Sequence, residues 1–398
     1  MTQLRSRISY SHAPWPFFDA DETAAVMQVL QSGKVNYWTG TEAREFEREY
    51  AAYLGVKHAI ALHNGTVALE LALYAFGIGA GDEVITSPRT FIASASAVVM
   101  RGAVPVLADV DPVSQNITAE SIRKVVTPKT KAIIPVHLAG FPCEMDSIMD
   151  LAREFNLIVI EDCAQANGAF YKGRPVGSIG HAGAFSFCQD KIMTTVGEGG
   201  LLALQDEKIW QKAWAFKDHG KSFDAVYNRE HVPGFRWLHE SFGTNWRMLE
   251  VQAAVGRIQL KKLSHWVEQR KTNAAILTEQ LSDISALRLT AVPKDVQHSY
   301  YKYYAFVRPE LLKSGWTRDR IMNEITKLGI PCFTGSCSEI YLEKAFVDAG
   351  YGPTQRLPVA QILGETSLLF LVHPTLSKDD MYVVSQTVHE VFDRAMGQ

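Results

Sequence analysis

The stretch GAFSFCQDKIMTTVGEGG (183–200) sets Lys191 between the end of an apolar, strand-like run and a glycine-rich turn. Burying an ammonium is costly, so a lysine in such a place reads as one whose amine is used. Desolvation lowers an amine's pKa, and a neutral amine attacks an aldehyde. The bland reading of the same residues is a surface lysine beside a hairpin. Ser186, five residues earlier at the strand end, offers a hydroxyl. In HNGTVALELAL, Asn64-Gly65 turns the chain out of another apolar run and Thr66 opens a helix. Glycine lets the backbone approach a phosphate, and free N–H groups at a helix start point at it. Taken singly, this is an ordinary turn with a capping threonine. LIVIED brings Glu161 and Asp162 to a third strand end. A carboxylate there can keep a pyridine nitrogen protonated and so make the ring an electron sink. Alone, Asp162 reads equally as a cap for the segment that follows. Together, amine, carboxylate and phosphate cradle match the chemistry of an aldehyde-bearing pyridine phosphate.

The elements that must position these residues are legible in outline. Asp19 with Glu22 starts a helix that stops at Gly33. EFEREYAAYLG is a second helix, burying Phe46, Tyr50 and Leu54 and ending at Gly55. Short apolar runs follow at 58–62, 83–87, 104–110, 131–136 and 157–162, then GAFSF and GGLLAL, with amphipathic stretches between them. Apolar strands alternating with helices predict a mostly parallel sheet sandwiched by helices, an α/β architecture, and such sheets bind ligands at the carboxyl ends of their strands. Beyond about residue 265 the pattern changes. SYYKYYAFV alternates like a strand with one exposed face, and RDRIMNEITKLG and KDDMYVVSQTVHEVFDRA are amphipathic helices. This predicts a large α/β domain over 1–265 and a smaller α+β domain over 266–398, joined by a helix from Trp246 to about Arg270.

Composition narrows the function class. The chain has 398 residues, 47% hydrophobic and 21% charged, enough to bury a sizeable core. A formal net charge of -3 provides no basic face for nucleic acid. The opening residues lack the apolar run of a signal peptide, and no stretch is long and apolar enough to span a membrane. Five scattered cysteines fit a reducing compartment, so a cytoplasmic protein is expected. Cys332 and Cys337 lack a second pair or nearby histidines, so no metal site is expected. GIGAGDE precedes a strand instead of following one, which argues against a nicotinamide dehydrogenase.

The motifs EDCAQANGA, FSFCQDK…GEGG, NGTVALELAL and FGTNWRMLEVQAAVG, in this order, resemble the DegT/DnrJ/EryC1/StrS sugar aminotransferases. The resemblance runs from YWTGTEAREFEREYAAYLG to the last helix. It implies the aspartate-aminotransferase-like fold (fold type I) and pyridoxal 5'-phosphate as cofactor. It further implies that Lys191 forms the Schiff base and shuttles the proton, Asp162 pairs with the pyridine nitrogen, and Gln165 contacts the ring hydroxyl. Phe91 would stack on the ring, while Gly65, Thr66 and Ser186 hold the phosphate. Asn245 would reach the phosphate of a neighbouring subunit, which makes a homodimer with shared sites. The aromatic-rich segment YNREHVPGFRWLHESFGT is the expected interface arm.

The implied reaction moves an amino group from L-glutamate to a keto- or aldehyde-bearing sugar in surface-glycan or lipopolysaccharide sugar biosynthesis. The alternatives are a non-nucleotide acceptor, such as an oxidised Kdo derivative or a cyclitol, and a non-catalytic regulator. A deoxysugar dehydratase of the same fold is disfavoured because those enzymes replace the lysine with histidine. This sequence departs from the family's usual pattern at Cys188, Gln189 and Asp190, in a Lys191–Glu198 segment one residue longer, and in CFTGSCSEIYLE (332–343). The last of these bears on the acceptor.

Overall fold

The computed structural model describes residues 9–397. Residues 1–8, part of the opening run without a signal-peptide pattern, lie outside the described residues. The chain opens with α1 (Ala20–Ser32) and α2 (Glu42–Leu54), each ending on a left-handed glycine, Gly33 and Gly55. There follow β1 (His58–Leu62), α3 (Gly65–Ala75), β2 (Glu83–Thr86), α4 (Ala93–Met100), β3 (Val104–Leu107), α5 (Ala119–Arg123), β4 (Thr130–Ile134), α6 (Met145–Phe155) and β5 (Ile158–Asp162). A short excursion, β6 (Phe170–Tyr171) and β7 (Arg174–Pro175), leads into β8 (Ala182–Ser186) and β9 (Gly200–Leu204). Helices α7 (Glu207–Phe216) and α8 (Phe223–Tyr227) precede an irregular arm and the long α9 (Glu250–Leu281).

The central sheet has seven strands in the order β1-β9-β8-β5-β4-β2-β3. Only β9 runs against its neighbours, so the sheet is mostly parallel, as expected. Alternate residues of one strand enter different cores. Ala59, Ala61, Phe185, Leu201 and Ala203 join the cluster under α2 and α9, whereas Ile60, Leu62, Ala184 and Leu202 join the cluster under α3 and α7. Burial on both faces is why these strands read as continuous apolar runs.

The C-terminal layer comprises β10 (Leu287–Leu289), β11 (Val296–Gln297), β12 (Tyr303–Val307), α10 (Arg318–Lys327), β13 (Cys332–Phe333), α11 (Lys344–Ala349), α12 (Pro358–Thr366), β14 (Ser367–Phe370) and α13 (Lys378–Met396). A four-stranded antiparallel sheet, β10-β12-β14-β13, forms its centre.

Two expectations are corrected here. Strand β12 has no exposed face: Tyr303, Ala305 and Val307 pack into the C-terminal core, while Tyr304 and Phe306 pack against the large sheet's outer core. The connecting helix starts at Glu250 instead of Trp246 and runs to Leu281 instead of about Arg270. Backbone pairing takes Trp246 and Arg247 first, through Trp246 N–H to Lys217 O and the bridge of Arg247 with Leu62. At 32 residues, α9 extends about 48 Å. It carries Leu263, Trp266 and Val267 into one core and Ala274, Leu277 and Leu281 into another. Among the described residues no helix is long and apolar enough to cross a membrane.

Candidate active site

Strands β1, β2, β5 and β8 all point their carboxyl ends to one edge of the sheet, and the loops leaving them enclose a cavity of about 510 Å³. Gly65, Thr66, Phe91, Asp162, Gln165, Ser186 and Lys191 all line it. Seven of the eight residues singled out from the sequence therefore meet, although they come from four separate loops.

The anion-binding end forms where β1, β8 and β9 are in register. Gly200 pairs with both Leu62 and Ser186. A Cβ on Gly65 would lie 2.7 Å from Ser186 Cβ, and one on Gly200 would lie 2.2 Å from Asn64 O, so both positions require glycine. Helix α3 is capped by Asn64, not by Thr66: Asn64 Oδ1 accepts from Val67 N–H at 3.0 Å and Asn64 O from Ala68 N–H at 3.3 Å. The first N–H groups of a helix have no intrahelical acceptor. Those of Gly65 and Thr66 are thus left for an anion, beside the hydroxyls of Thr66 and Ser186.

At the opposite end Asp162 is buried. Ser94 Oγ donates to Asp162 Oδ2 at 2.7 Å and Ala164 N–H to Oδ1 at 3.1 Å. Burial raises the Asp162 carboxyl above the usual range, opposed in part by these two hydrogen bonds and by Lys191 and His137. Gln165 Oε1 accepts from Ala139 N–H at 2.8 Å, which leaves the amide NH₂ as the end free to donate into the cavity. Phe91 is 66% exposed.

Glu161, delivered by the same strand, does not belong to this site. It projects to the other face, accepting from the N–H groups of Gly177, Ile179 and Gly180 at 2.8, 2.8 and 2.6 Å and lying 3.0 Å from His137 Nε2.

The Lys191 side chain is 16% exposed. Its Nζ lies 3.4 Å from Tyr301 Oη and 3.9 Å from Asp190 Oδ1, and Trp15 Nε1 donates to its backbone carbonyl at 2.9 Å. Trp15, Ser94 and Tyr301 were not found from sequence. Each reaches its partner from 68 to 176 residues away, and no local spacing signals such a contact. Ser336 also lines the cavity, and Thr90 N–H donates to Cys337 O at 3.0 Å, so the divergent 332–343 segment forms part of the rim.

Asn245 is the eighth residue and does not line the cavity. It is exposed and bridges Asp218. The preceding arm displays Val232, Phe235, Trp237 and Phe242 at 84%, 76%, 83% and 98% exposure.

The residues fit a pyridine phosphate: one cavity holds an anion cradle where Cβ atoms would clash, a buried carboxylate, an amide donor and a lysine amine. A wider groove of about 630 Å³ around Tyr300 is lined by none of these seven residues, and two of its three lysines, Lys172 and Lys271, pair with Asp146 and Glu268.

The sequence profile of the DegT/DnrJ/EryC1/StrS aminotransferase family matches residues 16–389. The crystal structure of an aminotransferase from Psychrobacter cryohalolentis is 57% identical with a TM-score of 0.95, covering 96% of this chain and 99% of that one. The spore coat polysaccharide biosynthesis protein SpsC of Bacillus subtilis is 36% identical over 94% of this chain and 95% of its own length. GDP-perosamine synthase of Caulobacter vibrioides is 38% identical over 79% and 81%.

Proposed function

The chain belongs to the DegT/DnrJ/EryC1/StrS aminotransferase family and is a pyridoxal-phosphate-dependent transaminase, and from that premise we propose that it moves an amino group from L-glutamate to a keto- or aldehyde-bearing sugar destined for a surface glycan or lipopolysaccharide. The convergence of Lys191, Asp162, Gln165, Ser186 and the Gly65-Thr66 helix start on one cavity carries this reading. Relatives named for perosamine synthesis and spore-coat polysaccharide support the sugar class.

In this assignment Lys191 holds the cofactor's aldehyde carbon, Asp162 its ring nitrogen, Gln165 its ring hydroxyl and Phe91 its ring face. Gly65, Thr66 and Ser186 hold its phosphate, joined by Asn245 from a second copy of the chain. When bound, the cofactor supplies a protonated pyridine ring that draws electron density from the carbon bearing the amine. The protein's part is proton transfer and electrostatics. Lys191, whose amine lines the cavity, would hold the cofactor's aldehyde end and, once free, would serve as the acid and base that carries the proton of the transfer. Asp162, with Ser94 donating to it, keeps its negative charge against the ring nitrogen. Phe91 and the 332–343 rim limit water at the reacting atoms.

The assignment includes a cytoplasmic homodimer with shared sites, which the exposed aromatic arm supports, and a division into domains 1–265 and 266–398 bridged by α9. The test supplies the purified protein with L-glutamate and a panel of nucleotide-linked keto sugars, free keto and aldehyde sugars, and cyclitol ketones, and measures 2-oxoglutarate released beyond the one equivalent per site that L-glutamate alone yields. Release with a nucleotide-linked sugar is the expected result, and release only with a free sugar or cyclitol selects the non-nucleotide reading. No release with any carbonyl sugar overturns the proposal.

A further inference from the structure

Asp190 is one of the residues that depart from the family's usual run before the lysine, and besides Lys191 itself, 3.9 Å from its Oδ1, the fold gives it two partners. Tyr301 Oη donates to Asp190 Oδ2, and Lys302 Nζ lies 3.6 Å from the same oxygen. Burial would raise the Asp190 carboxyl, but Lys191, Tyr301 and Lys302 outweigh it and hold it below the usual range. Asp190 is therefore ionised and can only accept. A phenol has a single O–H. With that proton given to Asp190, the Tyr301 oxygen faces Lys191 Nζ, 3.4 Å away, as an acceptor alone. An amine that donates one N–H to Tyr301 has its lone pair turned away from the phenol.

The frame behind this contact is rigid. Tyr301 N–H donates to Ala139 O at 2.9 Å, and Arg270 Nη1 donates to Tyr301 O at 3.2 Å. The Arg270 guanidinium lies 5.0 Å over the Trp15 ring, and Trp15 holds the Lys191 carbonyl. Lys191 and Tyr301 are thus fixed by one buried assembly. Within it Tyr300 and Ala139 have left-handed backbones, φ 47° and 57°, a strain that proteins retain mainly at functional sites.

We propose that Tyr301, oriented by Asp190, aims the Lys191 amine, accepting one of its N–H groups so that its lone pair points at the carbon it attacks. The inference rests on Lys191 as the residue that takes the cofactor's aldehyde. Tyr301 touches the reacting nitrogen and is catalytic in that sense, whereas Asp190 is a positioning residue.

The test starts from cofactor-free protein. Pyridoxal phosphate is added, and two events are followed: quenching of protein fluorescence on initial binding, and growth of the visible band as Lys191 links covalently. Tyr301→Phe is expected to leave the quenching affinity unchanged and slow band growth about tenfold, the scale of one lost hydrogen bond. Asp190→Ala frees the phenol proton to point at the amine and is expected to slow band growth in the same way. A merely structural role would instead lower the unfolding temperature and weaken the initial binding of both variants. Wild-type band growth in Tyr301→Phe, with no band in Lys191→Ala, overturns the inference and leaves Lys191's role intact. A band in Lys191→Ala overturns that role itself. Slow growth in Tyr301→Phe with a wild-type rate in Asp190→Ala overturns the orienting part. Should Tyr301→Phe not fold, Asp190→Ala, altered at a half-exposed side chain, decides alone.

Discussion

Ser94 Oγ and Asp162 Oδ2 stand 2.7 Å apart at the closed end of the cavity, and Thr90 Oγ1 backs the serine at 2.8 Å. This short relay is the strongest opposition to the burial that raises Asp162. Ser94→Ala removes it, so the carboxylate should protonate at higher pH than in the wild type. The low-pH limb of kcat should move upward in pH, and turnover at neutral pH should fall about tenfold, in line with a lost hydrogen bond to a charged group. A pH–rate profile that superimposes on the wild type contradicts the relay.

The same burial sets the sign of a stability effect in the cofactor-free protein. A carboxyl raised on folding contributes stability that is fully present below its unfolded pKa and is lost as pH rises through its folded pKa. Asp162→Asn carries no such group. Its unfolding temperature, relative to the wild type, should therefore increase as pH rises from about 4 towards 7. Melting curves of both cofactor-free proteins across that range check the direction.

Neighbouring carboxylates should separate by phenotype. Glu161→Gln disrupts a set of three backbone N–H contacts and is expected to cost about 2–4 kcal/mol of stability with near-normal turnover per folded molecule. Asp162→Asn is expected to lower turnover at least about 100-fold, with only about 1 kcal/mol lost in stability. Comparing kcat with chemical denaturation for the pair reverses the assignment if the phenotypes are exchanged.

Lys191→Ala should fold, bind pyridoxal phosphate without the borohydride-sensitive visible band, and show no transamination. Its side chain is 16% exposed and, among the described residues, pairs with no carboxylate closer than 3.9 Å, so little stability depends on it. Full activity in this variant would falsify the central assignment.

Shared sites can be tested by mixing. Provided Asn245→Ala alone is clearly impaired, combining it with Lys191→Ala should restore activity. A heterodimer would then have one doubly defective site and one intact site. Self-contained sites predict no gain over the parent variants, because every site keeps one of the two defects.

Much of this protein is determined by local sequence alone. Apolar runs at 58–62 and 157–162 became β1 and β5 within a residue, because a strand buried on both faces can contain little else. Asp19, Gly33 and Gly55 marked helix ends through their own backbone and capping chemistry. Since βα units place every parallel strand's carboxyl end on one edge, Gly65, Asp162, Ser186 and Lys191 could be assigned to one site before their distances were known. Strict alternation along β5 also separates Glu161 from Asp162, a signal already present in LIVIED. Tertiary structure alone decided the rest. The contact of Tyr301 with Lys191, the seating of Trp15 under the lysine and the second buried face of β12 join segments far apart in the chain. Such contacts follow from how α9 and the C-terminal layer pack against the sheet, and packing between distant segments leaves no period or spacing in the residues it joins.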